Sequence, residues 1–244
     1  METQNLQGAV AVITGAGGGI GRATAQILAG EGVQLALLGG SHPEKLEKTR
    51  ELVKDSVRCQ LFPGDLTDFS LLKRHAEKIA DTFGGVDILI NNAGMALSSP
   101  FEDVTMEQFD RIMNINVKVP YFLTQNLLPY LEKSGRGTVI NIASVVAHSG
   151  YPLQSAYAAS KHALLGFTKS LAREVYSRNV RVHAICPGGV YTDMVKIARP
   201  DLTPEGMIMP EEIARMIWFL LAWRGSGVID ELNVHRVNKE PFLI

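Results

Sequence analysis

The sequence predicts an α/β protein: a doubly wound parallel sheet of seven strands with helices on both faces, carried by residues 1–244 as one domain. Three observations predict it. Short β-rich apolar runs alternate strictly with longer amphipathic stretches, the pattern of parallel strands joined by right-handed helical crossovers. Several runs are apolar at successive positions instead of every second one, as in strands covered on both faces. The 244 residues are 46% hydrophobic, and no repeat, low-complexity tract or Pro/Ser-rich linker divides them, so one large α/β core accounts for the length.

The elements follow in order. The first strand run, Ala9–Thr14, leads into Gly15-Ala16-Gly17-Gly18-Gly19-Ile20-Gly21 and a helix over Gly19–Glu31. Glycines there permit positive φ and close approach of a phosphate, and the helix N-terminus offers free N–H groups to a pyrophosphate. The spacing is Gly15-x3-Gly19-x-Gly21 after Thr14, not G-x-G-x-x-G, and its place after the first strand predicts a dinucleotide site. The second strand, Val33–Leu38, ends in Gly39-Gly40-Ser41-His42, with no carboxylate before Glu44. An acid at that point would hold the ribose of NAD. Its absence favours NADP, with NAD still admitted, and Ser41, His42, Lys45 or Arg22 could meet a 2′-phosphate.

After a helix over Pro43–Asp55, the third strand, Val57–Phe62, is followed by Gly64-Asp65-Leu66, where the carboxylate can accept from an adenine amino group. A helix over Phe69–Phe83 leads to the fourth strand, Val86–Asn91, and then Asn92-Ala93-Gly94, small enough to lie against a ribose. A long helix is predicted over Thr105–Glu132, then the fifth strand, Thr138–Ala143, ending at Ser144. The next helix, Leu153–Ser177, carries Tyr157 and Lys161, which share a face at i and i+4. A free phenol has a pKa near 10, and a nearby ammonium would lower it toward useful acid/base chemistry on a carbonyl–alcohol pair. Ser144, thirteen residues before Tyr157, can donate to the same oxygen.

The sixth strand, Val180–Cys186, opens into Gly188–Met209, too long for a plain connection and read as a lid. It holds Pro200 and Pro204 with apolar Met194, Val195, Ile197, Met207, Ile208 and Met209. Substrate contacts are expected from His148, Tyr151 and Gln154 after Ser144 and from Met194 of the lid, with Lys196 and Arg199 able to steer an anion. A helix over Pro210–Trp223 and a strand over Val228–Val234 complete the chain.

Composition narrows the function. A formal net charge of −1 argues against nucleic acid as a partner. The longest strongly apolar stretch, Met216–Trp223, is far short of the ~20 residues of a membrane span. The N-terminus lacks the basic flank and apolar region of a signal peptide, so a cytoplasmic location is expected. Two cysteines, Cys59 and Cys186, make no disulfide framework, and the histidine spacing suggests no metal site.

Taken together and in order, Thr14-Gly15-x3-Gly19-Ile20-Gly21, Asn91-Asn92-Ala93-Gly94, Asn116, Ser144, Tyr157-x3-Lys161 and Pro187-Gly188-x3-Thr192 resemble the short-chain dehydrogenase/reductase family over roughly the first 195 residues. The broad likeness is to its ketoacyl-carrier-protein reductases and its hydroxy-acid or sugar dehydrogenases. The resemblance implies a Rossmann-type fold and an NAD(P)-dependent enzyme that interconverts a ketone and a secondary alcohol. It implies that Ser144 bonds the substrate oxygen, Tyr157 transfers the proton, and Lys161 holds the nicotinamide ribose and lowers the Tyr157 pKa. Asn116 would place a water linking Lys161 to solvent, and Pro187, Gly188, Val190 and Thr192 would cradle the nicotinamide. With the two long helical segments it also implies a homotetramer or homodimer. Gly39-Gly40 and the tail after Val228 depart from the family pattern. A catalytically silent dinucleotide-binding regulator or scaffold is the competing reading, disfavoured by the complete Asn116, Ser144, Tyr157 and Lys161 set.

Overall fold

The computed structural model describes residues 4–40, 42–53, 55–198 and 203–240. Ser41, Arg199 and Pro200, singled out above, lie outside them. Seven parallel strands run in the order β3-β2-β1-β4-β5-β6-β7: β1 Val10–Thr14, β2 Gln34–Gly39, β3 Cys59–Pro63, β4 Ile88–Asn91, β5 Thr138–Ile142, β6 Arg181–Pro187 and β7 Glu231–Val234. The helices are α1 Gly19–Gly30, α2 Pro43–Glu51, α3 Phe69–Phe83, α4 Met106–Met113, α5 Val119–Lys133, α6 Ser155–Val175, α7 Asp193–Ala198 and α8 Pro210–Ala222. The order reverses at β1, which pairs with β2 on one side and β4 on the other. On such a sheet the crevice beyond the carboxyl ends of the strands, at the reversal, is the ligand site.

The successive apolar positions of the strands divide between two cores. Ala11, Ile13, Leu35, Leu37, Ile88, Ile90, Ile140 and Ile185 face α1, α2 and α8, where Leu28, Leu46, Ile213 and Ile217 meet them. Val12, Ala36, Leu38, Leu89, Val139 and Val182 face α3, α5 and α6, against Leu72, Ile79, Leu123, Leu127 and Val175. A fully buried side chain of this kind contributes roughly 1.5–3 kcal/mol, so both faces specify the register. Among the described residues no helix is long and apolar enough to cross a membrane.

Three elements differ from the sequence expectation. The long helix over Thr105–Glu132 is broken: α4, capped by a Thr105–Gln108 capping box, passes into a π-helical stretch, Asn114–Lys118, before α5. Pro120 explains the break, because it has no N–H to give the carbonyl of Asn116 four residues back, and Val119 N–H instead reaches Asn114 O in the wider π pattern. The Gly188–Met209 connection is not structureless: it contains α7 and a parallel bridge between Val190 and Ile208. The last strand begins at Glu231, not Val228, since the His183 ring takes the carbonyl of Ile229 at 2.6 Å before the ladder starts.

Candidate active site

The glycine turn after β1 is fixed by close approaches. Gly15 has φ +64 and Gly19 φ +48, conformations that favour glycine. A Cβ on Gly21 would stand 2.4 Å from the carbonyl oxygen of Gly15, and one on Gly19 would stand 2.9 Å from the Thr192 methyl. Gly18 caps α1 without a side chain, so the first N–H groups of the helix face the cleft with no side-chain cap. Arg22, a candidate for a coenzyme phosphate, turns back instead: its guanidinium bonds the carbonyl of Gly17 and the hydroxyl of Thr49. Thr14 is also a brace and does not line the cleft. Its hydroxyl accepts from the N–H groups of Asn92 and Ala93 at 3.0 and 2.9 Å, joining the ends of β1 and β4.

A cleft of about 1090 Å³ runs from Gly40, Asp65 and Leu66 past Gly15, Gly17–Ile20 and Asn92–Gly94 to Ser144, Tyr157 and Lys161, and on to Pro187, Gly188, Val190 and Thr192. Of the residues expected to contact coenzyme, Thr14 and Gly21 shape this wall from behind, Arg22 turns away, and the other described ones line it. The bare α1 N-terminus and the glycine floor fit a pyrophosphate, and the cleft's length fits a dinucleotide with a small substrate. At the adenosine end the expected phosphate partners are engaged. His42 lies 3.1 Å from Glu44, and Lys45 reaches across the cleft to Asp193 of α7 at 3.3 Å. Asp65 accepts from the N–H and hydroxyl of Thr67, while Asp68 caps α3.

The catalytic candidates converge. Ser144 ends β5 and opens a 3₁₀ turn; its hydroxyl accepts from Val146 N–H and donates to the carbonyl of Pro187, both at 3.3 Å. Beneath it, Asn91 donates to Asn141 at 2.8 Å and Asn141 to Thr168 at 2.8 Å, a buried ladder that seats α6 on the sheet. Tyr157, half-buried on α6, has its pKa pushed up by burial and drawn back by the Ser144 hydroxyl. The expected lowering by Lys161 is therefore corrected. The ammonium lies over the face of the Tyr157 ring, 5.8 Å from its centroid, and donates to the carbonyl of Ile142 at 2.8 Å. Burial lowers the Lys161 pKa to about 8. A raised phenol is protonated at neutral pH, which suits a proton donor.

Asn116 is fully enclosed in the π-helical stretch. Its amide exchanges bonds with both backbone groups of Met95 and donates to Ser160, each at 2.9 Å. Its side chain thus ties α6 to the loop after β4, and Gly94 leaves room for it: a Cβ there would lie 3.0 Å from Asn116 Oδ1 and 3.8 Å from Lys161 Nζ.

Tyr151, Gln154 and Met194 line the cleft as expected. His148 does not, and that expectation is corrected: its Nε2 pairs with Glu231 of β7, which also accepts from Asn233 at 3.0 Å and from the Cys186 thiol at 3.6 Å. The carboxylate is held below its ordinary range against its own burial by His148 and Asn233. Lys196 lies over the Tyr191 ring and beside Asp193. Sequence reasoning missed His235, Arg236, Lys239 and Glu240 after β7, which also line the cleft. The charged run after the last strand was the available signal.

Comparisons with known proteins agree with this geometry. The family model for short chain dehydrogenase matches residues 9–203. A 3-oxoacyl-[acyl-carrier-protein] reductase of Thermotoga maritima is 34% identical, covering 93% of this chain and 96% of its own. The structure of a short chain dehydrogenase from Mycobacterium paratuberculosis bound to NAD superposes with a TM-score of 0.85 at 29% identity, covering 95% and 97% of the two chains. A metagenomic short-chain oxidoreductase in complex with NADP gives 0.83 at 30%, covering 95% and 99%.

Proposed function

Because the chain belongs to the short-chain dehydrogenase family, we propose that it interconverts a ketone and a secondary alcohol with a nicotinamide dinucleotide, using Tyr157 as proton donor and acceptor. The single observation that carries this is the meeting of Ser144, Tyr157 and Lys161 at one end of a cleft whose other end is the bare N-terminus of α1. The bound nicotinamide supplies or takes up the hydride. The chain's residues do the rest. Ser144 donates to the substrate oxygen as negative charge develops there. Tyr157 passes its proton to that oxygen in reduction and recovers it in oxidation. Lys161, an ammonium below about pH 8, holds the ribose and braces the face of the Tyr157 ring. Asn116 holds the α6 face in register with the loop after β4.

Relatives of this fold bind NAD or NADP. For this chain NADP is favoured by the missing acid at Gly40, though Lys45 must leave Asp193 to meet a 2′-phosphate. Assembly as a homodimer or homotetramer is supported by an aromatic patch on α5, where exposed Phe122 meets Tyr121 and Phe69 edge-on and exposed Tyr121 lies tilted against Phe167. Nicotinamide absorbance with a ketone panel tests the reaction. Tyr157→Phe should lower kcat/KM by at least about 100-fold, the range of positioned proton transfer, with coenzyme affinity nearly unchanged. Substantial turnover by that variant would assign the proton to another group.

A further inference from the structure

The turn after β7 places basic groups in the cleft that the proposed reaction does not use. Lys239 N–H donates to the carbonyl of Arg236 at 3.0 Å, closing a turn whose His235, Arg236 and Lys239 all line the cleft. Among the described residues none of the three forms an ion pair, and the guanidinium of Arg236 has one polar partner, the thioether of Met207 at 3.2 Å. A thioether is a weak acceptor, and guanidinium carries five donors in a planar fork that matches carboxylate and phosphate oxygens. Half-buried and so poorly satisfied, Arg236 differs from Arg22, Arg136, Arg178 and Arg224, each of which is spent on oxygen acceptors.

Its place in the fold relates it to the reacting end of the cleft and not to the pyrophosphate. Arg236 packs on Gly189: a Cβ there would lie 3.5 Å from Arg236 Cδ, an ordinary contact, and 3.0 Å from Met207 Cε, so a side chain would press on the methionine. Gly189 is two residues beyond Pro187, whose carbonyl accepts from Ser144. Pyrophosphate would be met at the other end, by α1. Glu240, the acid of the same turn, is exposed and makes no bond to the guanidinium.

We propose that Arg236, assisted by Lys239, forms an anion subsite, and that the physiological ketone or alcohol carries an anionic oxyacid group, carboxylate or phosphate, beside the reacting carbon. This rests on the ketone-reducing reading above. The test is reduction of two matched pairs, acetoacetate with its methyl ester and dihydroxyacetone phosphate with dihydroxyacetone, by the parent protein, Arg236→Leu and Arg236→Lys. In the parent, kcat/KM should favour the charged member of at least one pair, and which pair responds separates carboxylate from phosphate. Arg236→Leu should cut that charged-to-neutral ratio by about ten- to hundredfold, the range of a charge-assisted bond, and Arg236→Lys should retain part of it. Ratios alike in the parent and Arg236→Leu overturn the subsite while leaving the reductase reading intact. If none of the four ketones is reduced, calorimetric titration of acetoacetate and of inorganic phosphate into NADP-saturated protein decides. Binding to the parent that is weakened in Arg236→Leu supports the subsite; equal or absent binding overturns it.

Discussion

Lys161→Met should change the pH dependence of stability in a direction set by where the ammonium sits. Lys161 is buried, has no carboxylate beside it, and offers its proton to the Ile142 carbonyl at 2.8 Å. Burial takes its pKa from the ordinary 10.5 to about 8. At about 1.4 kcal/mol per pH unit, that drop is a destabilisation of about 3 kcal/mol, fully present below about pH 8 where folded and unfolded chains both carry the proton. Between about 8 and 10.5 the folded protein has released the proton and the unfolded chain has not, so stability rises with pH. Above that window the penalty is gone. Equilibrium denaturation of parent and Lys161→Met at several pH values isolates the effect, because other groups titrate in both proteins. The Cys186 thiol, pushed up to about 12 by burial and Glu231, interacts with Lys161, so both proteins carry Cys186→Ala. Parent stability relative to Lys161→Met should climb by about 2 kcal/mol between about pH 8 and 9.5. A difference that stays flat would mean that Lys161 is solvated in the folded protein, and its placement against Ile142 would be wrong.

Gly40→Asp should shift the NADPH-to-NADH ratio of kcat/KM toward NADH by at least about tenfold, the scale of one charge-assisted bond. A Cβ on Gly39 would stand 3.2 Å from the Leu46 side chain and one on Gly40 3.2 Å from the Gly64 carbonyl oxygen, so both sites are tight and Gly39→Asp should shift the ratio the same way. An unaltered ratio would place ribose recognition elsewhere. Gly21→Ala should lower stability by about 2–3 kcal/mol and Tm by roughly 5–10 °C, since its Cβ would fall 2.4 Å from a backbone oxygen; a thermal melt matching the parent refutes the close approach. Phe122→Glu should reduce the mass measured by light scattering, because it places a charge in the α5 aromatic patch. A mass equal to the parent's would move the interface to another face.

Much of the fold was legible because parallel strands and crossover helices impose patterns a few residues long. The glycine turn, Tyr157 and Lys161 were legible for the same reason: their chemistry depends on spacing within one turn. What escaped depends on contacts between distant segments. The pairing of His148 with Glu231 spans 83 residues, and no local pattern near His148 announces it. The Tyr157 pKa follows burial more than the neighbouring ammonium, and i, i+4 spacing cannot tell whether Lys161 Nζ meets the ring or the hydroxyl. The π-helical stretch was hidden because apolar periodicity runs through it, although Pro120 was the local mark of a disturbed ladder. Arg22 was misjudged because its partners, Gly17 and Thr49, come together only when α2 packs on the turn.

The central position of β1 has a consequence for how the chain is made. One edge of β1 pairs with β2 soon after both emerge, but the other waits for β4, and the bond from Val10 N–H to the Asp87 carboxylate closes a gap of 77 residues. At a synthesis rate of about 5–20 residues per second, that wait is roughly 4–15 seconds. For that time the Val-Ala-Val-Ile-Thr strand, buried at every position in the finished protein, presents an open hydrogen-bonding edge, so the nascent chain is most exposed to mispairing before β4 arrives.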